Sequence, residues 1–118
     1  MAVKNNIIQE KSFKFSLSII RLYKELQDER EYIISKQILR SATSVGANIE
    51  EAIAGQSKRD FLAKISISLK EARETHYWLR LLSESELTQI DVTILKSDIL
   101  EIVNILSAIV KTTRSNLS

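Results

Sequence analysis

Cysteine and proline are absent from the 118-residue chain, glycine occurs twice, and histidine and tryptophan once each. Without cysteine there is no disulfide scaffold, no thiolate metal site and no cysteine nucleophile. Without proline, and with so little glycine, the chain lacks the punctuation that strands and tight turns require, which points to helices. No stretch approaches the roughly 18 uninterrupted apolar residues of a membrane span. The opening MAVKNNIIQEKSFKF carries Lys4, Glu10, Lys11 and Lys14 in place of a targeting pattern. A cytoplasmic protein with no membrane role is the expectation. Excess charge is also lacking: 17 basic against 15 acidic residues give a formal +2, and a pI near 8.9 is only mildly basic. Bulk charge therefore does not announce nucleic-acid binding. Its distribution says more, because Ser83 to Glu101 holds Glu84, Glu86, Asp91, Asp98 and Glu101 against Lys96 alone.

What is present is helical periodicity. A chain of this length supports one domain with one core. It is organised around Gln37 to Leu82, two helical patterns joined at Gly55-Gln56. The first helix is predicted from about Asn6 to Gln27, with Ile8, Phe15, Ile19, Leu22 and Leu26 as its stripe. Phe13, Leu17 and Ile20 lie nearly opposite; they are either a few exposed apolar residues or, as we favour, a face buried against another subunit. Asp28, Glu29 and Glu31 then mark a turn and an acidic first turn of a second helix, from about Arg30 to Ala54. Its stripe is Ile34, Ile38, Ala42, Val45, Ile49 and Ala52, with Ala42, Gly46 and Ala47 small enough for close approach of a neighbour. Gly55 fits the residue past a helix end, where positive φ is often needed.

Ser57-Lys58-Arg59-Asp60 resembles a capping box opening a third helix from Lys58 to about Leu82, with the stripe Phe61, Ile65, Leu69, Ala72 and Leu79. Ile67 and Trp78 point away from that stripe as a second contact surface. Thr88-Gln89-Ile90-Asp91 caps a fourth helix whose Val92, Leu95, Ile99, Ile102, Leu106 and Ile109 form a bundle seam ending near Arg114, with Asn116 to Ser118 frayed. Short connections make neighbours antiparallel, so the predicted fold is all-α, an up-down-up-down four-helix bundle.

Chemistry is sparse. Di-metal bundles pair glutamates with Glu-x-x-His motifs, whereas here the residue three before His76 is Arg73. His76 falls near the core stripe, and a partly buried, hydrogen-bonded structural histidine is the reading. No glycine-rich elbow or phosphate loop exists. No cofactor or metal is therefore expected. Two polar rows remain. On the second helix Gln37, Ser41, Ser44, Asn48 and Glu51 align beside Arg40; if Arg40, Ser44, Asn48 and Glu51 face Glu71 or Glu74, they form a buried network fixing helix register. A ligand pocket is the alternative reading. On the third helix Arg59, Ser66, Arg73 and Arg80 recur every seven residues beside Lys70 and Tyr77. Such a basic ribbon is either a solvated face or a track for phosphates.

RSATSVGANIEEA followed by SKRDFLAKISISLKEARETHYWLRLL resembles the bacterial four-helix bundle proteins associated with intervening sequences in 23S ribosomal RNA genes, also labelled S23 ribosomal proteins. Arg40, Ser44, Asn48 and Glu51 match one motif, and Glu71, Glu74, Tyr77, Trp78 and Leu79 the other. Some relatives carry proline at the position of Gly46 and glycine at that of Ala52. The resemblance implies a non-enzymatic bundle that assembles into a ring, a homopentamer. It extends to the accessory protein of diversity-generating retroelements, which binds nucleic acid and a reverse transcriptase. The expected function is an oligomeric adaptor binding RNA or DNA through Arg59, Lys70, Arg73 and Arg80. Its competitors are a protein-interaction module using Phe13, Leu17, Ile20, Ile67 and Trp78, and an enzyme with a carboxylate pocket at Glu51, Glu71 and Glu74.

Overall fold

Four stripes of helical period call for four helices, and the computed structural model contains them. It describes residues 2–117, with side chains from Ile7 onward. The elements are α1 (Ala2–Asp28), α2 (Ile34–Ile53), α3 (Lys58–Glu84) and α4 (Thr93–Leu117). Each helix packs on its sequence neighbours and α4 returns to α1, whereas among the described residues the backbones of the diagonal pairs stay more than 8 Å apart. With connections too short for crossovers, this is the up-down-up-down bundle, 48 × 21 × 21 Å. The α2/α3 seam is the most extensive and the α1/α4 seam the least.

The core follows the stripes. Ile8, Phe15, Ile19, Leu22 and Leu26 of α1 are buried, as are Ile38, Ala42, Val45, Ile49 and Ala52 of α2. From the other half come Ile65, Ala72 and Leu79 of α3, then Val92 before α4, and Ile99, Ile102, Leu106 and Ile109 of α4. Ile34, Phe61, Leu69 and Leu95 pack half-buried at the margin. Each fully buried aliphatic side chain contributes about 1.5–3 kcal/mol, far more than helix propensity at one position.

Helix boundaries differ from the sequence expectation where side-chain caps intervene. Helix α2 starts at Ile34, not Arg30, because Arg30 takes φ 63° and Glu31 acts before the helix. The Glu31 carboxylate accepts from the N–H groups of Ile33 (3.1 Å), Ile34 (3.0 Å) and Ser35 (2.6 Å). The acidic side chain thus satisfies helix-start donors from outside. Partial burial pushes the Glu31 pKa up, but these N–H groups outweigh it and hold the pKa below its ordinary 4.5. Likewise α4 starts at Thr93. The Thr88 hydroxyl accepts from the Ile90 N–H at 3.1 Å within the connection, and Asp91 accepts from the Thr93 N–H at 2.9 Å. Hydrogen bonds from the Thr93 hydroxyl and N–H lower the Asp91 pKa. Helix α3 opens as expected, with Ser57 Oγ accepting from the Asp60 N–H at 3.0 Å. Helix α4 continues to Leu117, past the expected end near Arg114, and Ser118 lies outside the described residues.

The glycines also differ. Gly55 does not adopt positive φ; it is constrained instead by close approach, since a Cβ there would lie 3.0 Å from the Ala52 carbonyl oxygen. A Cβ on Gly46 would meet Ser12 Oγ of α1 at an ordinary 3.6 Å. Ala42 is buried beside it, but Ala47 is exposed and mediates no approach within the bundle.

Candidate nucleic-acid interface

Burial of Ile65, Ala72 and Leu79 turns the opposite side of α3 to solvent. That side carries Arg59, Lys70, Arg73 and Arg80, all exposed. At 1.5 Å per residue the ribbon from Arg59 to Arg80 extends about 30 Å. Arg80 Nε pairs with Glu84 at 3.1 Å, an i,i+4 surface pair. Arg59, Lys70 and Arg73 make no ion pair with any described side chain. Tyr77, 55% exposed in the same row, meets Trp78 edge-on with ring centroids 5.1 Å apart. The sequence-predicted ribbon therefore exists as a surface of cations with one accessible aromatic ring.

The expected α2/α3 polar network divides into three parts. At the surface, Arg40 Nη1 pairs with Glu71 at 3.2 Å and Nη2 with Glu74, whose Oε2 also accepts from the Trp78 indole N–H at 2.8 Å. Ser44 and Asn48 bond to each other within α2, Asn48 Nδ2 donating to Ser44 Oγ at 3.0 Å. Glu51 lies apart, paired with Lys64 at 2.8 Å on the exposed flank. Glu71 and Glu74 thus share Arg40 while Glu51 is engaged by Lys64, so the three carboxylates are not gathered around one pocket.

The buried polar contacts of this seam are made by Ser41, which the sequence reading placed in the α2 polar row, and by Ser68 and Thr75, which it passed over. Ser68 Oγ donates to the Val45 carbonyl at 2.8 Å, and Thr75 Oγ1 lies 2.9 Å from Ser41 Oγ and 2.8 Å from the Glu71 carbonyl. Ser41, Ser68 and Thr75 are fully buried. The signal was available: positions 65, 68, 72, 75, 79 and 82 alternate steps of three and four, and all six are buried.

On α1, Phe13, Leu17 and Ile20 are 61%, 41% and 38% exposed. Gln9 bonds to Glu50 at 2.7 Å on the α2 side, while Lys11 pairs with Glu101 on the α4 side. The helical positions of Phe13, Leu17 and Ile20 place them on the α2 side of that outer flank. Ile67 on α3 is 40% exposed, whereas Trp78 is half-buried against the core. His76 is half-buried and hydrogen-bonds to no described group. Burial lowers its pKa, and the charges of Arg80 and Lys96 lower it further. No group of three or more metal-capable side chains occurs among the described residues, and no described helix is long and apolar enough to cross a membrane.

Comparison with known proteins agrees with this architecture. A crystal structure of a protein of unknown function from the S23 ribosomal protein family of Bacteroides thetaiotaomicron superposes with a TM-score of 0.86 at 46% identity. The match covers 92% of this chain and 98% of that one. No curated protein matches significantly. The family model described as 23S rRNA-intervening sequence protein matches residues 4–108. With nearly the whole bundle inside that match, the chain belongs to the 23S rRNA-intervening sequence protein family.

Proposed function

We propose that the protein is a non-enzymatic, cytoplasmic adaptor that self-associates and contacts RNA through the α3 ribbon. The observation that carries this reading is the row of exposed cations, three of them without a carboxylate partner among the described residues. On a helix surface, carboxylates at i,i+4 can match such cations. An unmatched line instead suits a polyanion, whose condensed counterions are released on contact. Tyr77 adds a ring on which an unpaired base can stack. The family's description names 23S rRNA, which makes structured RNA the first polyanion to try.

The experiment is RNA binding measured against salt concentration. The affinity should fall as salt rises, and Arg73→Glu with Arg80→Glu should flatten that dependence by about one unit of slope per lost phosphate contact. Binding that is absent, or indifferent to both reversals, rejects the proposal.

A second reading, a protein-interaction module without RNA, is favoured by one observation, the exposed Phe13, Leu17 and Ile20. In the adaptor this same flank is the self-association surface, and the resemblance points to a pentamer whose partners include a reverse transcriptase or another protein. Leu17→Lys should lower the mass measured by light scattering. If only Leu17→Lys, and neither arginine reversal, abolishes function, the module reading replaces the adaptor.

A further inference from the structure

The two ends of the bundle are opposite in charge. At one end lie the α1/α2 and α3/α4 connections, tied together by the Thr88 hydroxyl donating to Glu29 at 2.6 Å. Residues 28–33 and 84–92 carry Asp28, Glu29, Glu31, Glu84, Glu86 and Asp91 against Arg30 alone. Large apolar side chains stand out of this acidic end: Ile33 is 74% exposed, Ile94 76%, Tyr32 53% and Leu87 52%. Tyr32, Ile33 and Leu87 lie in the two connections and Ile94 in the first turn of α4, so four apolar side chains are exposed at this one end.

At the opposite end α2 turns into α3 beside the finish of α4. Residues 54–60 and 108–117 carry Lys58, Arg59, Lys111 and Arg114 against Asp60 alone. Between these elements opens a cleft of about 560 Å³ lined by Ala52, Ile53, Phe61 and Ile109, with Lys58 and Thr113 also lining it. It has apolar walls, basic surroundings and room for branched aliphatic side chains.

We infer that the acidic end of one copy docks on the basic end of the next, with Ile33 and Ile94 seating in the apolar cleft between α2, α3 and α4. The occupant is a second copy because this chain supplies both halves of the match, projecting side chains in a negative field and an apolar recess in a positive one. Opposite fields steer the ends together, and apolar burial holds them. The contact is heterologous, so repetition builds an open row or a ring with the bundle axes in series. It uses surfaces separate from the α1 flank and does not depend on RNA binding.

The test is sedimentation equilibrium at several protein concentrations in low and high salt, on the Leu17→Lys background, which removes the flank contact. Mass should rise with concentration at low salt and fall back as salt screens the ends. Ile33→Ser with Ile94→Ser should leave a monomer, and so should Lys58→Glu, which places an acid in the first turn of α3 where the helix dipole tolerates it. Mixing those two end variants should give a species of about twice the protomer mass, because each keeps one intact end. A Leu17→Lys protein that stays monomeric at every concentration overturns the inference. So does association unaffected by either end variant, or a mixture that forms no pair while both variants retain wild-type helical circular dichroism.

Discussion

Ser41 and Thr75 meet at 2.9 Å in the fully buried α2/α3 seam, where each hydroxyl depends on the other and on one helical carbonyl. Ser41 otherwise reaches only the Ile38 carbonyl at 3.5 Å. Thr75→Val should therefore cost about 1–3 kcal/mol by urea denaturation, since it strands a buried hydroxyl. Adding Ser41→Ala should recover part of that loss, a coupling of about 0.5–3 kcal/mol in a double-mutant cycle. Additive losses would mean the two hydroxyls do not support each other. His76 gives a pH signature. Its folded pKa is lowered, so the unfolded chain takes up a proton first as pH falls below the ordinary 6.5. Its contribution is complete above 6.5 and is lost as pH falls through the folded value. The urea midpoint should drop between neutral pH and the window just below 6.5, and His76→Gln should flatten that segment of the profile. An unchanged slope in the variant would remove His76 as the cause.

Among elements, the start of α2 and the contact of α2 with α1 carry opposite signs. Glu31→Ala leaves the N–H groups of Ile33, Ile34 and Ser35 without their shared carboxylate, and should destabilise by about 1 kcal/mol. With the folded Glu31 pKa below 4.5, that stabilisation is present above 4.5 and lost as pH falls through the lowered value. Gly46→Ala should do the reverse. The added methyl meets Ser12 and Ser16 at ordinary contact distances of 3.6 and 3.7 Å, so the helix-propensity gain of about 1 kcal/mol prevails. A lower midpoint for Gly46→Ala would show that α1 cannot accommodate the methyl.

These two sites also show how far the sequence was legible. Apolar periodicity located all four helices and the whole α1 stripe, because each buried aliphatic residue outweighs local preference. It missed the α2 start because Glu31 reads equally as a first-turn acid or as a cap two residues before Ile33. It missed Ser68 and Thr75 because a stripe drawn through apolar residues skips small hydroxyls that bond to backbone. The α2 polar row was seen as one network, but its ends rotate outward, so Arg40 and Glu51 reach surface partners while Ser44 and Asn48 stay within the helix.

For the whole molecule, the acidic run after Ser83 was evident in the sequence, yet its meeting with Asp28, Glu29 and Glu31 required the fold. Antiparallel topology alone brings two distant connections to one end. The α3 ribbon, by contrast, was readable from a seven-residue repeat because a single helix displays it.

The unequal seams set an order of assembly. Helices α2 and α3 share the most extensive seam across a very short connection, whereas α1 and α4 come from opposite parts of the chain and share the slightest. Closing the longer loop costs more chain entropy and is rewarded by fewer interactions. The α2/α3 hairpin should therefore nucleate folding, and the α1/α4 side should close last and reopen first. Native-state hydrogen exchange should show amides of α2 and α3 exchanging only through global unfolding, with those of α1 exchanging through a cheaper, partial opening. Uniform protection across the four helices would contradict that sequence of events.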